Sequence, residues 1–146
     1  RTTFRSSLEV SILHTMDSLG VRRLLDAAFD SIPAGLIVQD GSGRIVASNR
    51  PARKVLGLDA TTLHGKDVSD GIWRIIDRAG RALTPDEQPA MRALHTGEAV
   101  KGQLLGMRFG DHVSWSFVDC VPLFGDDGAV EGVATFFRDA NATVEN

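Results

Sequence analysis

The chain has 146 residues, 42% of them hydrophobic and 24% charged, with a formal net charge of −3. That is the size and make-up of one domain with one continuous core, and it excludes a disordered or fibrous chain. The Arg and Lys residues are scattered among acids, so no broad basic face for a phosphate backbone is expected and nucleic acid is not an expected partner.

Apolar runs such as Gly35-Leu36-Ile37-Val38 fall far short of the roughly 20 residues that cross a bilayer. No signal-peptide pattern opens the chain, so a cytoplasmic location away from membranes is expected. The first residue is Arg1 rather than Met, which suggests a piece of a longer protein. The single cysteine, Cys120, has no intramolecular partner, and its apolar setting points to packing.

Ser6-Ser7-Leu8-Glu9 reads as a capping box. The helix it predicts carries Leu8, Ile12, Leu13, Met16 and Leu19 as an apolar stripe and ends at Gly20. A second helix is predicted from Val21, with Leu24, Leu25, Ala28, Phe29 and Ile32 apolar and Pro33 stopping it. Leu36-Ile37-Val38 and Ile45-Val46-Ala47 flank Asp40-Gly41-Ser42-Gly43, which predicts a hairpin. Asn49 is then the natural cap of a short helix, with Pro51 in its first turn and Gly57 past its end.

Trp73 to Ile76 and Arg81 to Leu83, around Ala79-Gly80, predict a small extra hairpin. Thr84-Pro85-Asp86-Glu87 is a second capping box, followed by Met91, Leu94 and Gly97; Pro89 moves the true helix start a few residues on. Three antiparallel strands close the chain, Val100 to Phe109, Val113 to Phe124 and Ala129 to Arg138, with turns at Gly110-Asp111 and Asp126-Asp127-Gly128. The expected fold is therefore α+β: a five-stranded antiparallel sheet, helices on one face, and an amphipathic N-terminal helix.

This order, and the run Asp40-Gly41-Ser42-Gly43-Arg44-Ile45-Val46-Ala47-Ser48-Asn49-Arg50-Pro51-Ala52 continued by Leu56-Gly57, resembles the PAS family. Gly110-Asp111, Trp115, Pro122-Leu123, Asp127-Gly128, Gly132 and Arg138-Asp139 are similar to that family's closing strands. The resemblance covers roughly Leu24 to Asp139; with the helix read from the pattern it gives an N-terminal helix over 1–20, a PAS sensor domain over 21–140, and 141–146 as the expected linker to a downstream domain. The segment Glu87 to Gly97 is similar to sensors placed ahead of a PP2C-type phosphatase and an anti-sigma-factor kinase in actinobacteria. Asp139-Ala140-Asn141 departs from the Asp-Ile-Thr with which many relatives end.

No catalytic or metal site is expected. His14, His64, His95 and His112 sit on separate elements without ligand spacing, and Asp126-Asp127 is turn chemistry. The resemblance implies further tests. Flavin-binding relatives use a reactive cysteine on a helix, whereas Cys120 is in a predicted strand. Haem-binding relatives use a histidine near His95, but His95 beside Thr96-Gly97 is better placed to meet unpaired carbonyls at a helix end. Flavin and haem are both disfavoured.

An apolar cavity remains. With Leu36 and Val38 inward, Ile45, Ala47, Leu56, Ser116, Val118 and Cys120 are expected to line it, and a lipid-like or fatty-acyl ligand would suit so few ionisable groups. Trp115, Phe117 and Val121 then face the other way and need cover. Together with Leu8, Ile12, Met16 and Leu19 they are the expected homodimer interface. The expected function is non-enzymatic sensing that controls an attached effector; the alternative is a ligand-free dimerisation module.

Overall fold

A computed structural model describes residues 7, 20–57, 64–65 and 74–145. The N-terminal stripe of Leu8, Ile12, Leu13, Met16 and Leu19, the first capping box and Trp73 lie outside the described residues, apart from Ser7.

Helix α1 spans Val21–Ser31 and ends as expected: Ile32, extended at φ −68° and ψ 127°, is held out of the helical region by the ring of Pro33. Strands β1 (Gly35–Asp40) and β2 (Ile45–Ser48) form the expected hairpin, and α2 (Arg50–Leu56) follows directly. A short β3 (Arg74–Ile76), one 3-10 turn at Pro85–Glu87 and α3 (Pro89–Thr96) come next. The long strands β4 (Val100–Phe109), β5 (His112–Phe124) and β6 (Val130–Asp139) then run to a final helical turn, α4 (Asn141–Glu145).

All strands join one antiparallel sheet in the order β2-β1-β6-β5-β4-β3. That is six strands where five were expected. The sixth is the first arm of the small hairpin at 74–83, which adds to the free edge of β4. Two of the turns are copies of one another. In Asp40-Gly41-Ser42-Gly43-Arg44 and in Asp77-Arg78-Ala79-Gly80-Arg81 the Asp and Arg backbones pair at 2.9 Å, and the Asp carboxylate accepts the Arg amide at 3.1 and 2.9 Å. The glycines, at φ 90° and 89°, occupy the left-handed position that closes a three-residue hairpin loop.

Helices α2 and α3 cover one face of the sheet, and the core lies between: Ile37, Ile45, Ala52, Leu56, Ala90, Ala93, Leu94, Leu105, Val118, Cys120, Val133 and Phe137. The second capping box is present, and its Glu87 Oε1 accepts the Thr84 amide at 2.9 Å. It caps only the 3-10 turn; α3 itself starts at Pro89, as the ring of that proline requires. The start of the C-terminal stretch expected as a linker, Asn141, is bonded to the sheet, as is Ala140 before it. Asn141 Oδ1 accepts the Trp115 amide at 2.8 Å, and the Ala140 amide donates to the Trp115 carbonyl at 2.9 Å.

Candidate functional site

One asparagine assembles the corner where the helices meet the sheet. Asn49 is fully buried, and its Oδ1 accepts the amides of Ala52 (3.0 Å), capping α2, and of Leu36 (2.9 Å) in β1. Its Nδ2 donates to the carbonyls of Phe29 and Ala34, both at 2.9 Å. Asp30 adds a bond from the Arg50 amide at 2.7 Å and lies 3.8 Å from the Arg53 guanidinium. The end of α1, the start of β1 and the first turn of α2 are thereby fixed to one another.

Beside this corner, between the inner sheet face and the helices, is a cavity of about 80 Å³. Its floor is Ile37 and Gln39 of β1, Ser116, Val118 and Cys120 of β5, and Thr135 and Phe137 of β6. Ile45 and Leu56 close one end, and Ile75, Leu105 and Met107 the other; Gln88, Pro89 and Ala90 roof it. No charged side chain is in the lining. Gly35 contributes by having no side chain, since a Cβ there would run into the Phe137 ring.

Of the residues expected at the cavity, Ile45, Leu56, Ser116, Val118 and Cys120 line it. Leu36, Val38 and Ala47 do not. Leu36 pairs with Phe136 and Val38 with Ala134 on the opposite face, while their neighbours Ile37 and Gln39 point inward. On β2 a bulge is the cause: Gln39 pairs with Ile45 but Val38 with Ala47, so Val46 is the extra residue and Ala47 changes sides. The inward residues Gln39, Gln88, Ile75, Met107, Thr135 and Phe137 were not anticipated. Thr135 and Phe137 were hidden by a second irregularity: Phe124 pairs with Val130 but Leu123 with Gly132, so a plain count back from the Asp126-Asp127-Gly128 turn sets Cys120 opposite Ala134 rather than Thr135.

Trp115, Phe117 and Val121 do lie on the outer face, half-buried. Trp115 lies over Gly106, where any side chain would also meet Ile76 and Val113. The guanidinium of Arg138 lies 5.8 Å from the Phe117 ring centre. Leu24 and Leu25 of α1 are exposed.

Burial pushes the Cys120 thiol up to about 11, against a partly compensating contact with the Thr135 hydroxyl 3.4 Å away. His95 is exposed at the end of α3 and is not part of the cavity wall. His64 Nε2 sits 2.9 Å from the Ser48 hydroxyl, and burial, with the nearby Arg53 charge, lowers its pKa. In the 3-10 turn before the roof, outside the cavity lining, the bidentate pair with Arg81 (3.0 and 2.9 Å) holds Glu87 well below its ordinary 4.5, at about 2. Among the described residues no His, Cys, Asp and Glu group is arranged to hold a metal, and no helix is long and apolar enough to cross a membrane.

The model of the family described as "PAS fold" matches residues 29–145. The chain belongs to the PAS family. PAS domains are sensory modules of signalling proteins. Solved structures of PAS domains share the fold at low identity. One from Colwellia psychrerythraea has a TM-score of 0.59 at 21% identity, covering 80% of this chain and 94% of that one. That of nitrogen regulation protein NR(II) from Vibrio parahaemolyticus gives 0.59 at 13%, covering 80% and 97%. VqmA, known from Vibrio cholerae and solved bound to DPO, gives 0.60 at 18%, covering 84% of this chain and 59% of that one. No curated protein matches the chain.

Proposed function

We propose that this PAS domain is the sensor of a bacterial cytoplasmic regulator, binding a small, largely apolar molecule in its inner cavity and passing the bound state to an effector in the same protein through a homodimer. The cavity carries this reading. A wall of mostly apolar side chains with a few uncharged polar groups is the build of a small-ligand site. VqmA, part of which shares the fold, has been solved bound to DPO. About 80 Å³ is less than the roughly 150 Å³ cavity that takes up benzene, so it fits a smaller occupant than the fatty-acyl molecule expected from sequence. The half-buried outer row Trp115, Phe117 and Val121 supports the dimer, and the likeness of Glu87 to Gly97 to sensors ahead of a PP2C-type phosphatase and anti-sigma-factor kinase supports that effector class.

Native mass spectrometry of the purified chain tests both halves. A bound mass is expected on the wild type and not on Val118→Trp, whose indole fills the cavity; a dimer is expected for the wild type and a monomer for Trp115→Glu. A ligand retained by Val118→Trp would place the site elsewhere. A dimer without bound mass, insensitive to Val118→Trp, would favour the dimerisation module.

A further inference from the structure

Gln39 is the one polar residue of β1 turned into the core, and it is fully buried. Its Nε2 donates to the Gly43 carbonyl at 2.9 Å. That bond fixes the amide, because the flipped arrangement would set two carbonyl oxygens against each other. Oε1 is therefore the free end, and among the described residues it is the one buried side-chain N or O atom with no hydrogen-bond partner. A buried acceptor left unpaired is costly, and such a group calls for a partner.

The cavity wall does not supply one. The Thr135 hydroxyl is in contact with Cys120, the Ser116 hydroxyl and the Gln88 amide make no hydrogen bond to Oε1, and the rest of the lining is apolar. Nor does the lining supply a cation for an anionic ligand or a carboxylate for a cationic one, so a charged group placed there would lose its hydration without compensation. An anion would also meet Oε1, oxygen to oxygen.

We propose that the ligand is a small neutral molecule with an apolar body and one hydrogen-bond donor, a hydroxyl or N–H, given to Gln39 Oε1. This rests on the reading of the cavity as a ligand site and narrows it: a carboxylate headgroup is excluded, and discrimination falls on the presence of the donor. Sites built around a buried hydrogen-bonding group reject analogues that lack the matching group far more strongly than apolar pockets reject a changed methylene.

Pyrrole and furan are rings of nearly equal size that differ in the N–H, and isobutyrate is a small anion. Each is titrated into the wild-type chain and followed by heteronuclear NMR at the Gln39 side-chain amide and the Val118 methyls. Pyrrole is expected to bind at least tenfold more tightly than furan, and isobutyrate not at all. In Gln39→Leu that preference disappears or reverses. Furan binding as tightly as pyrrole, or isobutyrate matching pyrrole, overturns the donor assignment while leaving the cavity a ligand site. Binding of none of the three overturns the ligand site itself. The comparison within the wild type stands even if Gln39→Leu does not fold.

Discussion

The two walls of the cavity differ in how openly they announce themselves. On β5, Ser116, Val118 and Cys120 alternate with Trp115, Phe117 and Val121, small residues inward and large ones outward, and the strand lies in the sheet as that alternation implies. On β1 the run Leu36-Ile37-Val38 is apolar at every position, so nothing in it marks a face, and the next residue, Gln39, looks like a solvent-facing group. It is fully buried, more so than Leu36 or Ile37. A strand whose pattern obeys the pleat is built for packing; one that turns a glutamine inward is held there by something stronger than side-chain preference.

Asn49 is that hold, and its removal is the largest effect expected. As a simple helix cap it would contribute about 1 kcal/mol. Its four bonds instead tie Leu36, Phe29, Ala34 and Ala52 together, and deleting the side chain strips a partner from all four, with only the Phe29 carbonyl keeping another, the Ile32 amide. Asn49→Ala is expected to lose about 3 kcal/mol or more in denaturant unfolding. A loss near 1 kcal/mol would mean that only the cap matters and that β1 keeps its phase by other means.

A smaller effect separates the two strands directly. Val118 faces the cavity and Val38 the outer side, half-buried. Replacing valine by threonine keeps the shape and adds a hydroxyl, which costs about 1–3 kcal/mol where it has no partner. Val118→Thr is expected to lose about 2 kcal/mol and Val38→Thr less than about 1, read from the shift in denaturation midpoint. Equal losses would return Val38 to the inner face.

Most of the fold was legible because local chemistry dictates it. The Asp-x-x-Gly-Arg turns, Pro33, the Asn49 cap and Gly57 each act within a few residues, and each does in space what its sequence position implies. The sheet phase on β1 and β2 was not legible, because it depends on the extra residue Val46 and on Asn49 reaching thirteen residues back to Leu36. The edge position of β3 is likewise tertiary: its hairpin is local, but pairing with β4 is decided by which edge is free. Gln39, the residue that local rules misplace, is also the one carrying an unmet bond, which is where functional sites tend to break those rules.

The gentlest probe of the comparison perturbs stability least and reads accessibility. Cys120 is enclosed, and burial raises its thiol pKa from 9.0 to about 11. At pH 8 almost none of it is thiolate, the form that reacts. Because its folded pKa lies above the unfolded one, the stabilisation from keeping it neutral is full below about 9 and is lost as the pH climbs through about 11. Val46, the extra residue of the β2 bulge, is 51% exposed. In a Cys120→Ser background, Val46→Cys should be alkylated at the rate of a free thiol while unfolding no more readily than wild type. The native Cys120 should react only as fast as the domain opens, so its labelling should slow further when a cavity ligand is present. Rapid labelling of Cys120 at pH 8 in the folded domain would show the β5 wall to be open. Protection of Val46→Cys would show that position 46 is covered, against its place as the exposed extra residue of the β2 bulge.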